Sequence, residues 1–177
     1  MWLACATLLG CGEGEGEAGD APCLASADAT EEWELFEQEV VTLTNDARAM
    51  GATCGAVGDF PPAPALSVDA RLRCAARKHS DAMGDDDFFA HENPMTGTSP
   101  FDRIGQEDYA YSAAGENIAA GYGSPEAVVE GWLQSDGHCA NLMNGAYTEI
   151  GVGYAFAEGS AFGHYWTQVF AHPLGEN

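Results

Sequence analysis

Gly137-His138-Cys139-Ala140-Asn141-Leu142-Met143-Asn144 leads, two residues later, into Tyr147-Thr148-Glu149-Ile150-Gly151-Val152-Gly153. The first part reads as a tight turn presenting a histidine, followed by a short apolar helix. The second reads as a glycine-spaced strand. Ile150, Val152, Tyr154 and Phe156 alternate with Gly151, Gly153, Ala155 and Ala157, so one face is bulky and the other small. Glu158-Gly159-Ser160 marks a turn, and Phe162 to Phe170 returns as the partner strand of a hairpin. Upstream the period changes. Trp33, Phe36, Val40, Leu43, Ala47 and Met50 recur at three- and four-residue steps and predict a helix over 30–50. Asp28 or Thr30 is expected to cap it and Gly51 to end it. Residues 53–65 read as a Pro/Gly-rich loop. Ser67 is expected to cap a second helix that carries Leu72, Ala75, Ala76, His79, Ala82 and Met83 and ends at Gly84. Ser99-Pro100 and Ser124-Pro125 each put proline at a first helical position. The first opens a short helix with Phe101 and Ile104. The second opens a longer one with Val128, Val129, Trp132 and Leu133. Helices first and a hairpin later predict an α+β fold.

The bulk properties narrow the function classes. The 177 residues suit one domain plus a tail, and 46% hydrophobic content is enough for a core. The net charge is −22, and the six basic residues are Arg48, Arg71, Arg73, Arg77, Lys78 and Arg103. Such a surface repels phosphate backbones and anionic headgroups, which excludes nucleic acid as a partner. Residues 1–11 read as a signal segment: an apolar run leads to Leu8-Leu9-Gly10-Cys11, which is similar to a bacterial lipobox with Cys11 as the lipidated residue. Residues 12–29 begin with a glycine- and glutamate-rich run that cannot bury apolar surface, and they read as a flexible acidic tether. Residues 30–177 are then the folded domain. The membrane is reached through the lipid anchor alone, because no other segment approaches the ~20 apolar residues of a spanning helix. Cys23, Cys54, Cys74 and Cys139 remain, an even number that suggests two disulfides in an exported chain; three pairings are open.

Four segments taken in order carry a resemblance: Phe88-Phe89-Ala90-His91, Gly115-Glu116-Asn117-Ile118-Ala119, the Gly137-His138 stretch, and Tyr165-Trp166-Thr167-Gln168-Val169-Phe170. Together they resemble the CAP superfamily (cysteine-rich secretory, antigen 5 and pathogenesis-related proteins) in its bacterial form, over roughly residues 30–172. The resemblance implies a three-layer α-β-α sandwich with a small central sheet. It implies a cleft lined by two histidines and two acids. His91, Glu116 and His138 match three of these positions. The fourth, three residues after the helix tryptophan Trp132, is Ser135. Glu130 or Glu149 could supply the missing carboxylate, although neither stands at the motif position. For the cysteines, similar bacterial domains suggest Cys54–Cys139, with Cys23–Cys74 as the second pair.

Two imidazoles and a carboxylate form a sensible zinc set with an open position for water or substrate. Such a site could support hydrolysis. Without metal, Glu116 could act as a general base. The missing acid argues against a hydrolase. The expected function is therefore an exported, lipid-anchored protein that binds a lipid, a cell-wall fragment or another protein through the His91/Glu116/His138 cleft. A metal-assisted, peptidase-like hydrolase and an interaction module with a vestigial cleft are the alternatives. Other residues take plainer readings. His79 is expected to be a satisfied, half-buried histidine, His164 to pack, and His172 to be exposed. Asn117 and Asn141 are expected to bind backbone in turns. Asp85-Asp86-Asp87 reads as a solvated run. Ser135 lacks the G-x-S-x-G context of a nucleophile. Tyr109, Tyr111, Tyr122 and Trp166 could line a groove or fill the core.

Overall fold

The structure, a computed structural model, describes residues 31–175. The expected leader, tether, caps at Asp28 and Thr30, and the lipidation site Cys11 lie outside the described residues.

Among the described residues, five helices surround a four-stranded sheet. They are α1 (Glu31–Met50), α2 (Ala70–Asp85), α3 (Pro100–Gln106), α4 (Pro125–Leu133) and α5 (Asp136–Leu142). Strands β1 (Ala52–Cys54) and β2 (Gly58–Phe60) form a small antiparallel ribbon around a single 3-10 turn at Gly55–Val57. The main sheet takes β3 (Ser67–Val68), β4 (Tyr111–Ala120), β5 (Glu149–Phe156) and β6 (His164–Pro173) in the order β3-β5-β6-β4. β3 runs parallel to β5; the other neighbours are antiparallel. With helices on both faces of this sheet the fold is the expected α+β sandwich.

The alternation in β5 explains the layers. Ile150, Val152 and Tyr154 point into the main core with Val40 of α1, Val128, Val129 and Trp132 of α4, and Trp166 of β6. The small face meets α2 at backbone distance: a Cβ on Gly151 would overlap the Leu72–Arg73 peptide, and one on Gly153 the Ala76–Arg77 peptide. Only glycine permits this approach. Leu72, Ala75 and Ala76 of α2 form a second core with Ile104, Tyr109, Val169 and Ala171.

Several local expectations are corrected. Asp69, not Ser67, caps α2, accepting from the amides of Arg71 and Leu72, while Ser67 belongs to β3. Residues 53–65 contain the β1–β2 ribbon within the expected loop. β4, which no hydrophobic alternation announces, runs through Gly115-Glu116-Asn117. Asp87 is more than a solvated acid. It adopts a left-handed φ of 49° and its Oδ1 accepts the Ala161 amide at 2.7 Å, which ties the end of α2 to the β5–β6 turn. Arg48 is wholly buried and donates to the carbonyls of Pro64, Leu142, Asn144 and Tyr147. One guanidinium thus closes the open carbonyls after α5 and fastens them to α1.

Candidate functional site

His91, Glu116 and His138 come from three separate segments, and the fold brings them to one cavity of about 520 Å³ that also touches Asn117, Ser135 and Asn144. β4 presents Glu116. The chain between α2 and α3 presents His91. His138 lies in the first turn of α5 rather than in a turn before a helix, because the helix begins at Asp136. The Cys54–Cys139 disulfide fastens the residue next to His138 to the end of β1. The other expected pair involves Cys23, outside the described residues.

Glu116 is the electrostatic centre. Its side chain is 2% exposed. Arg103 Nη2 donates to Oε2 at 2.7 Å, and His91 Nδ1 lies 2.8 Å from Oε1. A carboxylate only accepts, so a proton sits on His91 Nδ1, and Nε2 is the ring nitrogen left free of that bond. Arg103 also donates to the carbonyls of His91 and Thr98, at 3.0 and 3.1 Å. It therefore clamps both ends of the segment that carries His91. Arg103 was not singled out as a site residue. The signal was present: it is the only basic residue after position 78.

His138 is arranged in parallel. Its Nδ1 lies 2.9 Å from Ser135 Oγ. Ser135 is the N-cap residue of α5 but makes no side-chain cap, so its hydroxyl serves the imidazole instead. Burial lowers the His138 pKa, and the nearby His91 lowers it further. Both influences favour the neutral ring. Each imidazole is thus tied at Nδ1, and among the described residues neither Nε2 has a hydrogen-bond partner.

Behind the cavity lies a buried polar network. Asn117 Nδ2 donates to the His138 carbonyl at 3.2 Å and to Gln168 Oε1 at 3.2 Å. Asn141 Nδ2 donates to Asn117 Oδ1, and Tyr147 OH donates to Asn141 Oδ1. Gln168 passes the chain to Thr44 of α1. The asparagines therefore join β4, α5 and β6 through their side chains, not as turn formers. His79 is also different from expectation. It is 1% exposed, its Nε2 lies 3.0 Å from the Ala90 carbonyl, and its Nδ1 has no partner. Burial depresses its pKa to about 4. It supports the backbone one residue before His91.

Neither substitute acid enters the site. Glu130 pairs with Gln134, and Glu149 of β5 accepts from the Tyr109 hydroxyl; neither lines the cavity. Both Glu116 oxygens are engaged, and among the described residues no group of three or more His, Cys, Asp or Glu side chains is arranged to hold a metal ion. Two imidazole Nε2 atoms remain, fewer than the three or four protein ligands usual for zinc.

A second cavity of about 310 Å³ adjoins the first, sharing Ser135 and His138 as a common wall. Its other walls are apolar, with Phe89, Ile118, Tyr122, Trp132 and Phe162 prominent. Of the four aromatics read from sequence as groove or core, Tyr122 lines this cavity, while Tyr109 and Trp166 are core.

A family model described as the cysteine-rich secretory protein family matches residues 41–170, most of the chain. The chain belongs to the CAP family. The uncharacterized protein YkwD of Bacillus subtilis is 39% identical over 135 residues, covering 76% of this chain and 46% of that protein. The crystal structure of an extracellular protein containing an SCP domain from Bacillus anthracis superposes with a TM-score of 0.66 at 30% identity, covering 83% of this chain and 45% of that one. An outer surface protein of Borrelia burgdorferi, 20% identical, shares the fold with a TM-score of 0.63 over 83% of this chain and 96% of its own. The chain spans less than half the length of the curated relatives it matches. Among the described residues of this CAP domain, no helix is long and apolar enough to cross a membrane.

Proposed function

We propose that this CAP domain is an exported binding module and that the His91/Glu116/His138 cleft takes its ligand. One observation carries the reading. Both imidazoles are fixed at Nδ1, by Glu116 and Ser135, and both rings line the same cavity. Side chains held in this way lose little rotamer freedom on binding, which is the purpose of preorganisation. Export is supported by the Cys54–Cys139 disulfide, a bond typical of oxidising compartments, and by the extracellular and outer-surface relatives. An anchor at Cys11 belongs to the same proposal: Cys11→Ser is expected to release the protein from membranes, and a variant that stays bound would remove the anchor. The cleft is tested by capture from a cell-envelope extract. Wild type is expected to retain a partner or cell-wall fragment that His91→Ala/His138→Ala loses with an unchanged thermal midpoint. Equal capture by the two proteins would show the cleft to be vestigial.

The His91–Glu116 pair also supports a second reading, a hydrolase in which the His91 Nε2 lone pair takes a proton from water. Glu116→Gln is a poor probe of this, since it strands the buried Arg103 charge. His91→Gln keeps the bulk of the side chain and removes the base. Turnover of envelope peptides by wild type, lost in that variant, is the expected result on this reading.

A further inference from the structure

The two cavities are strung along one strand edge. Ile118, Ala119 and Ala120 all line the apolar cavity, and Glu116 and Asn117 both line the polar one. Side chains of consecutive strand residues point to opposite faces. Three in a row reach the same space only when that space lies beside the backbone, at the strand's edge. β4 is an edge strand, paired with β6 on one side only. The Gly121 amide donates to His164 of β6. By the antiparallel alternation the backbone groups of Glu116, Ile118 and Ala120 therefore face away from β6. The Ile118 carbonyl is already taken by the Trp132 indole at 3.2 Å. The edge from residue 116 to 120 is about 13 Å long at the usual rise.

We infer that this edge binds an extended peptide, with a large apolar side chain in the Tyr122/Phe162 cavity and its backbone continuing past the His91 and His138 imidazoles. The inference rests on the proposed binding role of the cleft and names the ligand class for it. Ligands that lie along a strand edge and drop side chains into pockets beside it are extended peptides. The apolar cavity has the capacity of roughly ten waters, at ~30 Å³ each. Phe89, Tyr122 and Phe162 are 45%, 38% and 48% exposed among the described residues, so the cavity has an open aromatic rim. Phe89 and Phe162 meet across it with ring centroids 5.9 Å apart. The charge of −22 disfavours acidic peptides and leaves neutral or basic ones.

The test is an NMR titration of the full chain with two blocked pentapeptides, Ac-Ala-Gly-Phe-Gly-Ala-NH2 and its counterpart with glycine at the centre, and with decanol as an apolar probe that has no peptide groups. Wild type is expected to bind the phenylalanine peptide at least tenfold more tightly, with amide shifts along residues 116–120. Tyr122→Ala/Phe162→Ala changes exposed rings only and is expected to abolish that preference. His91→Ala is expected to weaken both peptides alike. Equal affinity for the two peptides would overturn the side-chain pocket and leave the cleft reading intact. Binding of decanol alone, without shifts along β4, would overturn the peptide assignment. No binding by any probe would also overturn it, and the envelope-capture comparison then decides the cleft reading separately.

Discussion

The centre and the edge of the same sheet are built on different principles. At the centre, β5 puts glycine backbone against the backbone of α2 with no room for a side chain, and Ser80 Oγ of α2 donates to the Gly153 carbonyl at 2.9 Å. At the edge, β4 carries Glu116 and Asn117, and each is committed to partners from two or three other segments. The first arrangement is steric and depends on residues close together in the strand. The second is electrostatic and depends on the whole topology. The difference teaches where tolerance should lie: the centre fails by exclusion of volume, and the edge loses chemistry before it loses the fold.

The largest expected effect is at the centre. Gly153→Val should cost ~4 kcal/mol or more, since overpacking here meets main chain rather than a movable side chain. Loss of a cooperative thermal transition is the expected readout, and a native-like midpoint would break the comparison. Next comes the tie that holds α5 to the ribbon. Cys54→Ser/Cys139→Ser opens a loop with a sequence separation of 85 and should cost about 4 kcal/mol in urea unfolding. A loss below 1 kcal/mol would mean that packing and Arg48 hold α5 without help.

His79 sharpens the comparison through pH. Its folded pKa is about 4, below the ordinary 6.5, because burial disfavours the charged ring. The unfolded chain binds the proton more readily, so the native state has its full advantage above pH ~6.5. That advantage should fall as pH drops from 6.5 to 4, by roughly 3 kcal/mol in all, and level off below. Subtracting the profile of His79→Phe isolates this contribution; superimposable profiles would refute it. The smallest effect is expected at the cleft itself. Ser135→Ala should change stability by less than about 1 kcal/mol, as the hydroxyl is not acting as a helix cap. The His138 ring resonances should nevertheless move, and a silent ring would show that Ser135 does not position it.

The same contrast explains what the sequence revealed. Alternation along Ile150–Phe156 predicted a two-faced strand, and the faces are those observed, because period two is a local property. The 3.6 period likewise gave α1 and α2. His91, Glu116 and His138 were legible through the family pattern, and they do share a cavity. Their connections were not legible. Nothing local says that Arg103 reaches Glu116 or that Asn117 and Asn141 bond one another, since each of these pairs is joined by tertiary placement; Ser135 and His138 are only three residues apart, but a good N-cap residue is expected to bond the helix backbone rather than the imidazole. β4 was missed for a related reason: an edge strand that carries Gly115, Glu116 and Asn117 shows no clean alternation. The N-cap of α2 was misplaced by two residues because Ser67 and Asp69 are both good caps, and the parallel pairing of β3 with β5 decides between them.

The buried arginines have a consequence at the scale of the whole molecule. Arg48, Arg77 and Arg103 lie inside, at 0%, 7% and 7% exposure. Half of the chain's six positive side chains are thereby withdrawn from the outer surface. The three left outside all belong to α2, and Arg71 and Lys78 are each paired with an acid. From a distance the particle behaves as a polyanion, surrounded by its own cloud of mobile cations. Copies should repel one another strongly in dilute buffer and approach only as added salt shortens the Debye length, so that crowding at a surface is governed by ionic strength.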